Sequence, residues 1–479
     1  MKRIVAACIC CSVLLLGISG YSQQANPQKL NLKQCIETGI ANNFDVWQRQ
    51  LQAESDKANW KQVKLNIFPD LNASAGHSFN QGRSIDPYTN SPVTQSFNSS
   101  NYGVNSNVVL FNGFAIQNNI KQNSLAYRAA TMELQQEKDN LTVNIILTYL
   151  QVLSNTDLVE QAKNQMVLSG KQVERLEVLN KEGAIRPSAF SDLKGQYAGD
   201  RVSIINAENA LETSKINLSR LMNVPYNKDM ELEKIGPESF AAIYETSSAG
   251  IYETALKQLA MIKAVDLRQQ SAGKGVKVAK GQLFPRLTFG VGVSTSFSSV
   301  AFQSQYLNTV YSPTSDSAIV SNVKYPVYRF HDNFTTSSKI PYMDQLDNNL
   351  YTSFGFSLSI PLFNSLAQRN RIKQAKINLK NAEVTASYTR TQLSRDIDLA
   401  YINMTSAADR YKVLLEQVNA LNESFKAAEI LFQQGVGNSV DYLTVKNNLD
   451  RANINLIIAK YDYVLRIKIL DYYQGKQLW

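Results

Sequence analysis

Little in this 479-residue chain is equipped for covalent or metal chemistry. Its two histidines, His77 and His331, are too few and too scattered for a metal cluster. Of the four cysteines, Cys8, Cys10 and Cys11 fall inside an N-terminal apolar run, which leaves Cys35 as the single thiol beyond it. A lone thiol makes no internal disulfide, so an exported chain of this kind must draw its stability from packing or assembly. The stretch GKGVKVAKG (273–281) mixes lysine and glycine, but not at the spacing of a phosphate-binding loop. No nucleophile is matched with a base. An enzyme is not expected, nor a cofactor or metal site. The remaining candidates for function are turns, exposed charges and the surfaces that carry them.

Those features must be placed in a compartment first. Lys2 and Arg3 precede the apolar run IVAACICCSVLLLGISG, which gives way to Gly20-Tyr21-Ser22, the pattern of a secretory signal peptide over residues 1–22. Val5-Ala6-Ala7-Cys8 resembles a lipobox, but its cysteine lies within the apolar core rather than after it, so lipidation is not expected. The net charge of +9 is mild for this length, and its basic residues are interspersed with acids, so no nucleic-acid partner is expected. Beyond the leader no run approaches the ~18 apolar residues of a spanning helix. Any entry into a membrane must therefore be made by strands.

The chain repeats its own plan. A helix-like segment (32–66), a Phe-Pro pair, two alternating segments, LFNGF and a long helical stretch are followed by a second such series. In the second, a helix-like segment (251–282) leads to another Phe-Pro pair, two alternating segments, LFNSL and another long helical stretch. Phe111 and Phe363 are 252 residues apart, as are Gly183 and Gly435, whereas the Phe-Pro pairs are 216 apart. The extra 36 residues lie between the paired strands of the second copy, as an enlarged loop over 299–349. The first structural repeat is assigned to 23–245, with strands at about 68–80 and 101–111 and a helical tip at 183–188. The second occupies 246–479, with strands at about 284–298 and 350–363 and a tip at 435–439.

The strands alternate with period two. Leu287, Phe289, Val291 and Val293 share one face, against Thr288, Gly290, Gly292 and Ser294 on the other. Phe354, Phe356 and Leu358 likewise oppose Ser353, Gly355 and Ser357. Apolar residues on one side and small polar residues on the other suit a transmembrane β-barrel strand, although a soluble sheet with one wet face alternates in the same way. Four strands do not close a barrel, which needs about eight, and unclosed edges in lipid would strand backbone groups. A barrel must therefore be shared between chains.

The helical segments set a second scale. Residues 112–182 and 365–434 carry no proline and would each span about 105 Å at ~1.5 Å per residue, while the segments 32–66, 188–222, 251–282 and 439–472 are about half as long. Two half-length helices end to end would match one long one, with a bulge at NVPYNKDMELEKIGPESF. A coiled-coil rod has similar lengths but no need of strands at fixed points.

Taken together, IFPDL/LFPRL, VVLFNGF/IPLFNSL, the opening LNLKQCIETGIANNFDV and KEGAIRPSAFSDL/QQGVGNSVDYL resemble the TolC-like outer-membrane efflux protein family over essentially the whole mature chain. GRSIDPYTN is similar to the Bacteroidota branch. The resemblance implies a mixed α+β fold, mainly long α-helices, from a tandem-repeat protomer. It implies a homotrimer in which each chain contributes four strands to a 12-stranded outer-membrane barrel, continued by a periplasmic α-helical barrel. It implies the exit duct of a tripartite efflux pump, with a periplasmic adaptor (membrane fusion protein), an inner-membrane transporter of RND, ABC or MFS type, and outer-membrane lipid as partners. Type I protein secretion and a non-conducting exported scaffold remain as alternatives.

The resemblance also assigns sites. The tips, Gly183, Ala184 and Ser188 with Gly435, Val436, Asn438 and Ser439, would meet the adaptor, with glycine allowing the reversal and serine capping the next helix. Family members close the periplasmic end with a Tyr three residues before the second tip glycine, an Arg two after it, and Asp six and nine after it. Here those positions hold Phe432, Gly437, Asp441 and Thr444. Asp441 is then the candidate gate carboxylate and Phe432 a substitute plug, with an ordinary helix-start acid as the plainer reading of Asp441. Phe68-Pro69 and Phe284-Pro285 would be the helix-to-strand junctions, where proline ends the helix and phenylalanine meets the lipid boundary.

Overall fold

The computed structural model describes residues 29–85, 90–94, 96–236 and 246–478. The leader (1–22), part of GRSIDPYTN, the end of the expected bulge and Trp479 lie outside the described residues. The chain forms two compact units, and each sequence repeat contributes to both. One unit is Met1–Gln52, Thr131–Ala264 and Ser387–Trp479, and the other is Ala53–Ala130 with Val265–Ala386.

The duplication holds helix by helix. In the first copy α1 (Leu32–Asn42), α2 (Phe44–Leu65), α3 (Ala115–Lys181) and α4 (Pro187–Met222) have 11, 22, 67 and 36 residues. In the second, α5 (Ser248–Gln258), α6 (Ala260–Gly281), α8 (Ala367–Gln433) and α9 (Ser439–Tyr473) have 11, 22, 67 and 35. The expected single helices 32–66 and 251–282 are each broken, at Asn43 and at Leu259, both in extended conformation. The break has a use in the first copy. The Asn43 side-chain amide donates to the Leu221 carbonyl at 3.2 Å and that of Asn223 to the Asn42 carbonyl at 3.0 Å. Carbonyls left without partners at two helix ends are thereby satisfied by each other's cap. Asn223, in the left-handed region, has Gly475 as its counterpart 252 residues on, which lies against Gln258 at the second break.

The core of this helical unit is apolar and divided. One cluster gathers Cys35, Ile36, Ile145, Tyr149 and Leu218, a second Ile251, Leu393, Ile397 and Leu470. Cys35 is thus a packed thiol, and burial pushes its pKa up to about 12. The segment after α4 is strapped down. Leu30 bridges to Leu232, and the Tyr149 hydroxyl donates to the carbonyls of Glu233 and Leu30 at 2.7 and 3.2 Å. Asp157 accepts from Tyr461 at 2.8 Å and Lys234 at 3.2 Å.

The second unit holds a four-stranded antiparallel sheet in the order β1 (Asn72–Asn80), β4 (Phe97–Phe111), β5 (Arg286–Ser298), β8 (Tyr351–Ser359). The minor pair β2 (Ser84–Ile85) and β3 (Pro92–Val93) sits in the first connection. Register keeps the alternation in phase, with Phe289 opposite Val108 and Phe356, and Gly290 opposite Asn107 and Gly355. Among the described residues nothing pairs with the outer edges of β1 and β8. Phe354, Phe356 and Leu358 stand uncovered, Phe354 at 79%. The enlarged loop is not irregular. It is a long hairpin, β6 (Phe302–Val320) and β7 (Val323–Lys339), followed by the short helix α7 (Tyr342–Asn348). Period two is interrupted there by three bulges and two prolines, Pro313 and Pro326, which hid the strands from the alternation test.

The junctions are turns rather than strand starts. Helices α2 and α6 end three residues before each phenylalanine, and the amides of Phe68 and Phe284 donate back to Leu65 and Gly281 at 2.9 and 3.1 Å. Strands begin at residues 72 and 286, not 68 and 284, because Pro69 and Pro285 supply no ladder donor. Both phenyl rings are more than half exposed. The return path explains LFNGF and LFNSL. Gly113-Phe114 (φ 64° and 60°) and Ser365-Leu366 (φ 52° and 62°) are paired left-handed residues that swing strand into helix. At Gly113 an added Cβ would strike the Gly281 carbonyl and sit 2.6 Å from Phe284 Cβ. Gly113→Ala should therefore destabilise the fold by about 1–3 kcal/mol, while Ser365→Gly, which relieves a strained φ, should be neutral or stabilising. Thermal melts of the two purified variants against the parent check the opposite signs.

Candidate functional site at the helical tips

Both tips close by the same backbone device. α3 ends with Gly183 at φ 71°, Gly183 N–H on the Asn180 carbonyl and Ala184 N–H on that of Leu179 at 3.1 and 2.8 Å. α8 ends with Gly435 at φ 76°, Gly435 N–H on Phe432 and Val436 N–H on Leu431 at 3.2 and 3.1 Å. This paired 5→2 and 6→1 closure is the Schellman motif, and a side chain with Cβ would resist its left-handed residue. Gly183, Ala184, Ser188, Gly435, Val436 and Asn438 are all exposed, Val436 at 76%.

The capping expectation needs correction. Ser188 and Ser439 lie inside the first turns, not at the caps. α4 opens with Pro187 behind Arg186 and has no side-chain cap, while α9 is capped by Asn438, whose side-chain oxygen accepts from the Asp441 amide at 2.8 Å. Ser439 is buried and donates to Asp192 on α4 at 3.2 Å. The Asp441 carboxylate is exposed and accepts from the Asn438 side-chain amide at 2.7 Å, so the plainer reading, a helix-start acid beside the N-terminal dipole, is realised. That bond leaves its other oxygen and its charge facing outward.

Phe432 is occupied otherwise than as a plug. Its ring stacks on Tyr442 at 4.7 Å within a cluster that includes Phe425, Leu176 and Leu193, and it is buried. A ring held by packing inside one chain does not project as a stopper. The tip core is continued by a charged cluster that pattern reading missed. Lys446 is 1% exposed and reaches Asp450 at 2.7 Å and Asp200 at 3.3 Å, with Gln196 donating to Asp200 at 2.8 Å. Burial pushes the Asp450 carboxyl above its usual range, while the Lys446 bond and charge pull it back. The available signal was Lys446 between Tyr442 and Leu449, a cation at core spacing on α9 with an acid four residues on. Ion pairing of this kind ties α9 to α4 at a fixed register. It offers no nucleophile, and no metal-ligating group of three occurs among the described residues.

Comparison with known proteins bears on the whole chain. The outer membrane efflux protein family matches residues 35–224 and 251–470, one span in each sequence copy. The chain is 22% identical to the outer membrane protein TolC of Vibrio cholerae serotype O1, over 71% of this chain and 68% of that protein. In fold it is similar to CusC, with a TM-score of 0.75 at 15% identity over 93% of this chain and 92% of that one. VceC of Vibrio cholerae is similar too, with a TM-score of 0.73 at 14% identity over 94% and 97%. An apolar-faced sheet with open edges, a duplicated helical body and a family match over most of its length all agree. The chain belongs to the outer membrane efflux protein family, as an outer-membrane channel with a helical periplasmic extension.

Proposed function

We propose that three copies of this chain form the exit duct of a tripartite efflux pump. The observation that carries the reading is the sheet β1-β4-β5-β8, with an uncovered apolar face and two unpaired edges. In lipid each unpaired N–H or C=O costs several kcal/mol, so the edges must meet other strands. Four strands per chain close as twelve when β8 of one copy pairs with β1 of the next, and threefold closure is a common symmetry for such assemblies. A non-conducting scaffold would have no use for that face. The duct reading also accounts for the long proline-free helices.

The exposed tips are the docking surface for a periplasmic adaptor, which links the duct to an inner-membrane transporter of RND, ABC or MFS type. Gly183, Ala184, Gly435, Val436 and Asn438 present themselves, while buried Ser439 positions α9 through Asp192. Asp441 acts at the constriction as a threefold ring of carboxylates, which repel one another and favour cations. Phe68 and Phe284 mark the lipid boundary at the base of the barrel. Protein secretion uses the same architecture, and genes for an adaptor and a drug or metal transporter beside this one would favour efflux.

Purified protein in planar bilayers should give trimers with cation-preferring single-channel currents; monomers that stay in buffer without detergent would refute the assembly. Asp441→Ala should raise leakage of a large antibiotic and reduce cation preference. Asp441→Asn separates the two roles of the residue, since it keeps the Asn438 bond but loses the charge. If charge closes the tip it should match alanine, and if capping does, it should match the parent. For the buried cluster, Lys446→Met leaves two carboxylates uncompensated and should cost about 3–5 kcal/mol. Asp450→Asn leaves a neutral Lys446–Asp200 pair and should cost less, a ranking that helical circular-dichroism melts would read.

A further inference from the structure

The β6–β7 hairpin carries an uncovered aromatic ladder. Pairing of Tyr306 with Phe334, Tyr311 with Phe330 and Pro313 with Tyr328 puts five rings on one face of the ribbon. Tyr311 lies 4.7 Å from Phe330 and 4.9 Å from Tyr328, and all five rings are exposed, Phe330 at 70%. Beside these rings the opposite face carries Arg329 and His331, the latter bonded to Ser312 at 3.1 Å. Together the rings expose roughly 500 Å² of aromatic surface, as large as the biggest apolar patch of an ordinary monomer.

The base of this ribbon is firmly held, and among the described residues its two strands pair only with each other. The Ile340 amide donates to the Ala301 carbonyl at 3.1 Å, the Tyr342 and Tyr102 hydroxyls meet at 2.7 Å, and the Ser298 amide donates to the Gln345 side chain at 2.9 Å. A two-stranded ribbon alone is at best marginally stable in water, and needs a third surface against its apolar face. The ribbon leaves the sheet at the strand ends away from the helices, hence on the extracellular side of the barrel.

We propose that the aromatic faces of three copies pack against one another around the threefold axis, forming an extracellular crown over the barrel mouth. This rests on the trimeric reading above. The occupant is a second copy because symmetry brings three identical faces to one height at the pore exit. A lipid surface fits less well. Asp332 stands on the same face as the rings, held by Thr309 at 2.7 Å, and Thr309 in turn meets Tyr306 at 2.6 Å. A carboxylate within the patch disfavours its insertion into hydrocarbon.

The test uses full-length protein in outer-membrane vesicles, where the native Cys35 is buried. Phe330→Cys should give cross-linked dimers with a short bis-maleimide, and Arg329→Cys, on the other face, should not. Tyr311→Ser combined with Phe330→Ser should speed proteolysis within residues 302–339 at least tenfold while leaving the trimer's heat resistance unchanged. A heat-resistant trimer in which Phe330→Cys does not cross-link overturns the crown alone. Protection of that cysteine by lipid, lost in detergent, would likewise overturn it. A monomer would sink the trimeric reading itself.

Discussion

Backbone groups at a strand edge have no partner in hydrocarbon, and this constraint organises the molecule more than any side-chain contact. The four-stranded sheet ends in β1 and β8, whose outer edges find no partner among the described residues. A soluble protein would blunt such edges with charge, proline or a covering helix. Here they stay open, with exposed Phe79 on β1 and Phe354, Phe356 and Leu358 on β8. Folding of the single chain is thereby incomplete by design, and assembly supplies the missing hydrogen bonds.

The helical half obeys a different rule. Its helices satisfy their own backbones, so what must be controlled is where they stop and how they turn. Three kinds of left-handed position recur 252 residues apart, at the strand-to-helix bends, the tips and the ends of α4 and α9. The tips keep glycine in both copies, Gly183 and Gly435, but elsewhere the side chains differ, as Gly113 against Ser365 and Asn223 against Gly475 show. Backbone conformation has outlasted sequence identity in the duplication. At Ser365 and Leu366 the turn is held although neither residue is suited to it, so the surroundings must impose it.

Much of this was legible before any coordinates. Proline-free length located α3 and α8 to within three residues, and period two found all four sheet strands. Breaks at Asn43 and Leu259 were not legible, because neither is a Gly or Pro, and at Asn43 the stabilising bonds come from a distant helix end. The hairpin was lost to bulges and prolines. At the tips the glycines were found, since a reversal demands them. For Phe432 the sequence is silent, because an aromatic at a helix end gives no sign of whether it faces a lumen or packs within the chain, as it does on Tyr442. The cluster around Lys446 needed two helices, α4 and α9, brought together and could only be half seen from spacing.

The matched helix lengths carry an evolutionary consequence. α3 and α8 both have 67 residues, and α2 and α6 both have 22. Inserting one residue in a helix turns everything beyond it by about 100° and presents a new face to its neighbours. Only insertions near a whole number of turns, made in several helices together, would leave the seams intact. The span that such a chain can bridge between two membranes is therefore quantised, and a lineage whose envelope thickens must change it in concerted steps or recruit longer partners.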